Sequence, residues 1–126
     1  MTRENKDLLW KDLCARLPYG VKVKVKYYDD AWELLAIYAN GTTHAVRDIG
    51  YPIETYFEDC KPYLFPLLSM TEEQRLEFVT TLKYLPAEEI DIWTLNTYDW
   101  CNKNHFDYRG LIPKGLANDA TGKNIY

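Results

Sequence analysis

The chain has 126 residues, enough for one domain with its own core and too few for two ordinary ones. Hydrophobic residues make up 47% and charged residues 27%, which excludes wholesale disorder. With 15 Lys+Arg against 19 Asp+Glu the net charge is −4, which argues against a general DNA-coating protein and leaves only a local basic patch open.

The first element is a helix from about Arg3 to Leu17. Thr2 is its expected cap, and Glu4 sits well near the positive end of the dipole. Leu9, Trp10, Leu13, Cys14 and Leu17 recur at helical spacing as its apolar stripe, and Pro18 and Gly20 end it. Val21–Tyr28 alternates strictly and reads as a strand. Asp29-Asp30 is the expected turn into a second strand, Trp32–Ala39. Asn40-Gly41 signals a type I′ hairpin into a third, Thr42–Ile49. Ile53–Leu64 reads as an irregular fourth strand, placed at an edge or ended by Pro62 and Pro66.

Thr71 and Gln74 form a capping box for a helix to about Tyr84, with Leu76, Phe78, Val79 and Leu82 as its buried side and Pro86 as its stop. Ala87–Trp93 is ambiguous between an extended piece and a turn. Thr94 to about Asn104 reads as a helix with Leu95, Tyr98 and Cys101 or Asn102 inward. The tail from about Lys114 is expected to be loosely ordered. The fold class is therefore α+β: an N-terminal helix, an antiparallel four-strand meander, and C-terminal helices packed on the sheet, all in one domain.

No apolar stretch approaches the roughly 18 residues of a membrane span, so no membrane partner is expected. The first seven residues, Met-Thr-Arg-Glu-Asn-Lys-Asp, hold no apolar core, which speaks against an export signal and for a cytoplasmic protein. Cys14, Cys60 and Cys101 are odd in number and far apart, and read as reduced thiols.

Candidate chemistry is sparse. Cys101 and His105 are four apart, the spacing of half a zinc site or of a thiol–imidazole pair. The only other histidine, His44, lies on the hairpin, so no metal and no cofactor is expected, and the plain alternative is an inward thiol with a helix-end imidazole. Glu54, Glu58, Asp59, Asp29 and Asp30 could pair as acid and base, but turns and solvated faces explain them. The densest cluster runs from Asn104 to Gly110. There Phe106, Asp107, Tyr108 and Arg109 could frame a ligand corner with Arg109 as an anion hook. The structural alternative makes Asp107 a cap, Phe106 a core plug and the Arg109 stem a cover for apolar surface.

Two segments resemble a known group as wholes: Lys61-Pro-Tyr-Leu-Phe-Pro-Leu-Leu-Ser-Met-Thr-Glu-Glu-Gln74 and Asp99-Trp-Cys-Asn-Lys-Asn-His-Phe-Asp-Tyr-Arg-Gly-Leu-Ile112. They resemble small uncharacterised proteins of prophages and mobile elements of gut anaerobic bacteria, over about Ile53 to Ala117. The resemblance carries no activity to any residue. It implies a setting, an accessory protein of a mobile element inside a bacterial cell. Pro113 departs from the pattern, because it would interrupt a helix continuing from Tyr108.

The remaining signal is a surface. With a two-residue turn at Asp29-Asp30, Val21, Val23, Val25 and Tyr27 share the core face of the hairpin with Trp32, Leu34, Ala36 and Tyr38. The other face sets Lys22, Lys24 and Lys26 against Ile37, Leu35 and Glu33, and adds Val46 and His44. An aliphatic centre of Leu35, Ile37 and Val46 rimmed by lysines reads as a contact surface for another protein or a second copy of the chain. The alternatives are burial of that face under the chain's own helices, or a basic sheet face for single-stranded nucleic acid. The leading expectation is a non-enzymatic protein-interaction role. A nucleic-acid-binding accessory protein is the first alternative, and a small enzyme or ligand binder at the Asp107/Arg109 corner is the second.

Overall fold

The computed structural model describes residues 1–82 and 95–126, with the backbone alone for Leu82. The expectations for Tyr84, Pro86, Ala87–Trp93 and Thr94, and for the side chain of Leu82, fall outside these residues. The class is mixed α+β. In order come α1 (Arg3–Arg16), β1 (Lys22–Val25), β2 (Ala31–Ile37), β3 (Thr42–Val46), β4 (Ile53–Tyr56), β5 (Cys60–Pro66), α2 (Glu72–Leu82), α3 (Leu95–Lys103), β6 (Phe106–Asp107) and β7 (Asn118–Asp119). The strands form one sheet in the order β4-β3-β2-β1-β5-β6, with β7 also on β5.

The sheet is mixed and larger than the expected four-strand meander. The expected fourth strand is two. A 3₁₀ turn at Phe57–Asp59 separates β4, which pairs with β3, from β5, which crosses to pair with β1. β6 and β7 then join β5 in parallel, two rungs each. Pro62 is tolerated inside β5 for a local reason. Backbone groups alternate sides along a strand, and the Asp59 carbonyl accepts from Lys26 of the β1 side. Residue 62 therefore points its missing N–H away from β1.

Helix α1 begins as expected, with the Thr2 hydroxyl accepting from the Asn5 amide at 3.1 Å. Its buried stripe differs from expectation. Leu9, Asp12, Leu13 and Arg16 face inward, while Cys14 is exposed and Trp10 is half-buried against Phe57. Leu9 and Leu13 pack on Val21, Val23, Val25, Trp32, Leu34, Ala45 and Cys60, which makes α1 the lid of one sheet face. A second small core joins Leu64 to Leu111, Leu116 and Ala117.

Of the later helices described, α3 reaches the sheet at its β6 edge. Helix α2 packs on α3, and α3 packs on α1 and β6. The capping box forms, with the Thr71 amide donating to Gln74 Oε1 and the Gln74 amide to Thr71 Oγ1. Leu76 and Val79 are exposed, not buried, with Leu76 at 70%. Phe78 instead meets the Trp100 ring. In α3 the inward residues are Thr97, Cys101 and Asn102, while Leu95 and Tyr98 point outward.

The segment from Lys114, expected to be loose, is built into the sheet. β7 pairs with β5, and Leu116, Ala117 and Ala120 are buried. The Tyr126 hydroxyl accepts from the Lys22 amide at 2.9 Å and donates to the Tyr63 carbonyl at 2.8 Å. It thus supplies a rung just where β1 and β5 part. Its ring stacks on His105 with centroids 3.6 Å apart.

Candidate functional site

The Asn104–Gly110 corner is folded inward. His105 has φ +64°, which turns the chain from α3 into β6 and sends Phe106 into the core. There Phe106 stacks on Trp100 and tilts against Phe65. The Asp107 carboxylate accepts from the Leu111 and Ile112 amides, both at 2.9 Å. It caps the tight turn that holds Pro113. Pro113 brings no missing bond there, since residues in a first turn need no partner for their N–H. The corner is the structural alternative in detail. Asp107→Ala should cost about 2 kcal/mol in urea denaturation, because two amides lose a charged acceptor. Unchanged stability would contradict this role.

Arg109 is not a free anion hook. Its Nε lies 3.3 Å from Asp12 Oδ1, close enough for charge attraction but not aligned as a hydrogen bond. Its other end donates to the Tyr108 hydroxyl, which in turn donates to Asn102 Oδ1. Behind it lies the group that the sequence reading overlooked. Asp12 and Arg16 are both 0% exposed. Arg16 donates to Asp12 Oδ2 at 2.9 Å, to the Phe106 carbonyl at 2.6 Å and to the Cys101 carbonyl at 3.4 Å. It ties α1 to α3 and β6. Burial pushes the Asp12 carboxyl up, against the pull of Arg16 and then Arg109. Its signal was legible: residues 9, 12, 13 and 16 share one helix face, with charges at two of the four.

Two of the three thiols, Cys60 and Cys101, are buried, whereas Cys14 is exposed. Burial pushes Cys101 and Cys60 up to about 11, far from a reactive thiolate. Burial, then Arg16 and Lys22, lowers His105 to about 4. His44 sits on the hairpin beside Tyr38 and Glu54. Among the described residues no three His, Cys, Asp or Glu side chains converge as metal ligands.

Among the described residues the sheet face away from α1 is the more open one, and here the expected pairing is shifted. β1 and β2 pair Lys22 with Glu33, Val23 with Trp32 and Lys24 with Ala31. This is four residues from the expected alignment, because the connection spans residues 26–30 with Tyr27 at φ +73°. An even shift preserves faces, so Val23 and Trp32 remain core. At the next turn the Tyr38 amide donates to Thr42, which leaves a three-residue loop closed by Gly41 at φ +91°. A bulge between Leu34 and Ala36 then adds an extra residue, Leu35.

The bulge corrects the expected patch. Ile37 returns to the core side, opposite buried Thr43, and packs on the main cluster. Leu35 stays outside at 49% exposure. Val46 is half-buried opposite Glu33 and lines an open cavity of about 650 Å³ with Lys22, Arg47 and Ile125. Lys22 faces Glu33, Lys24 turns its ammonium to the Val25 and Tyr28 carbonyls, and Lys26 lies beyond the strand. The three lysines do not form the continuous stripe expected for a nucleic-acid platform. Exposed Tyr38 and Tyr56 share this face, Tyr38 with its ring against His44 and Tyr56 opposite Thr42. Sequence reasoning missed both tyrosines.

Comparison finds no family profile, no curated protein and no solved structure that matches this chain. No helix among the described residues is long and apolar enough to cross a membrane.

Proposed function

We propose that the chain is a non-enzymatic binding protein, an accessory of a mobile element, that meets another protein on the outer face of β2–β4. One observation carries this reading. The bulge holds Leu35 outward on the same sheet face as Tyr38, Val46 and Tyr56, and among the described residues neither α2 nor α3 packs closely on β2–β4. A sheet face turned to water is ordinarily polar, whereas aromatic and aliphatic side chains mark the centres of contact surfaces. The groups that would serve catalysis are engaged elsewhere: Asp107 in a cap, Arg109 and Arg16 on Asp12, His105 on Tyr126. The mobile-element setting rests on the resemblance of the two segments alone.

The test is a double variant, Leu35→Asp with Tyr56→Asp, in exposed positions that leave the core intact. Parent and variant should melt alike. Sedimentation across a concentration series and capture from a bacterial lysate should then differ, with association present for the parent and lost in the variant. If both chains associate equally, or neither does, the face is not a contact surface.

A further inference from the structure

A second concavity opens on the same sheet face, away from Leu35, where β1 and β5 meet β7. Its volume is about 640 Å³, and Lys24, Lys26, Lys61, Lys123, Tyr63 and Asn118 line it. Lys24 and Lys61 are directly opposed across the β1–β5 ladder. Like charges in that position oppose folding, and a neighbouring carboxylate is the ordinary remedy. Among the described residues neither lysine is ion-paired. Asp29, Glu58 and Asp59 also border the cavity, but Glu58 is 3.5 Å from Lys6 outside it. Among the described residues no carboxylate comes within 4.0 Å of Lys26, Lys61 or Lys123. Two of these ammonium groups lie over rings, Lys123 over Tyr63 and Lys26 over Tyr27. Lys24 is held by loop carbonyls. The cluster is therefore partly ordered, and its ammonium groups outnumber the bordering carboxylates without forming ion pairs with them.

We propose that this concavity binds a compact phosphate group, a phosphate monoester or a diphosphate. Three unpaired ammonium groups suit a multiply charged anion, and lysine serves phosphate as a point charge. The carboxylates on the border favour a compact ligand over a long polyanion, since Asp29 and Asp59 would repel a passing phosphodiester backbone. The group arrives either on a free small molecule or on a phosphorylated side chain of a protein. This inference is independent of the contact surface around Leu35.

The experiment is an NMR titration of the full chain with inorganic pyrophosphate, and separately with a short peptide bearing one phosphoserine, at ionic strength held constant with KCl. Saturable shifts are expected at the amides of Lys24, Lys61 and Asn118. Lys61→Met should weaken binding on the order of tenfold, the loss of one charge-assisted contact. Without the probe, Lys61→Met should melt at a higher temperature than the parent, because the opposition to Lys24 is gone. Lys61→Gln serves as the second variant if the first is poorly soluble. Binding of pyrophosphate alone would assign a small-molecule ligand, and binding of the peptide would assign a phosphorylated partner. Shifts that follow ionic strength only, or a Lys61→Met/Lys123→Met variant that titrates like the parent, would overturn the proposal.

Discussion

Replacing Arg16 with Met should cost about 3–5 kcal/mol, the scale of a buried ion pair broken on one side. The reason is what remains behind. Asp12 stays fully buried, with the Arg109 Nε at 3.3 Å as its nearest cation. The Phe106 and Cys101 carbonyls lose their donor as well. A buried charge without partners is the costly state, more than the pair is a stabilising one. The double variant Asp12→Leu/Arg16→Met should accordingly lose less than the single variant. Urea denaturation measures both. A single-variant loss under about 1 kcal/mol would show that the cluster relaxes to water and does not bind the helices together.

Acid should weaken the fold by as much as about 3 kcal/mol through one imidazole. His105 is held at about 4 in the folded chain, by burial first and by Arg16 and Lys22 next. Unfolded, it titrates near its ordinary 6.5. Between those values the unfolded chain binds a proton that the folded chain refuses. Stability therefore falls as pH drops from about 6.5 to about 4 and is unaffected by His105 above that window. Asp119, held below the carboxylate range by its bonds with Thr121, loses stability in the same direction at lower pH. Asp12, raised by burial, acts oppositely: its contribution is present in acid and lost as pH rises through its folded value. His105→Asn tests the assignment, because Asn tolerates the φ of +64° at that position. Thermal melts of parent and variant across the window should show the slope flattened in the variant. An equal slope in both would place the acid sensitivity elsewhere.

The parts of this fold legible in the sequence are those written in local spacing. The Thr2 cap, the Thr71/Gln74 box and the core alternation of Val21, Val23 and Val25 all depend on neighbours within four residues. What was missed depends on partners far along the chain. Ile53–Leu64 reads as one strand because nothing local marks the 3₁₀ turn at Phe57–Asp59, and only pairing to β1 divides it. Leu35 and Ile37 alternate regularly in sequence, so the bulge that separates their fates is invisible there. The inward charges of α1 were passed over because Asp and Arg are read as solvent residues, although their spacing is that of a stripe. For the candidate surface, Leu35 was legible as an exposed aliphatic residue, while Lys61 and Lys123 required knowledge that β1 and β7 flank β5.

The three partners of β5, namely β1, β6 and β7, also shape the time course of folding. β2, β3 and β4 follow one another through short connections, so their pairing closes small loops. β5 must find β1, β6 and β7 across long stretches of chain, and the Tyr126 rung joins residues 104 apart. Loop closure of that length precedes any contact that offsets it, and parallel pairings are slow to nucleate. The meander is then the early element and β5 with its neighbours the late one. Interactions absent from the transition state govern how long a native molecule survives rather than how quickly it forms. The Tyr126 rung and the Arg16 bonds to the Cys101 and Phe106 carbonyls belong to that late set, so they act chiefly as brakes on unfolding.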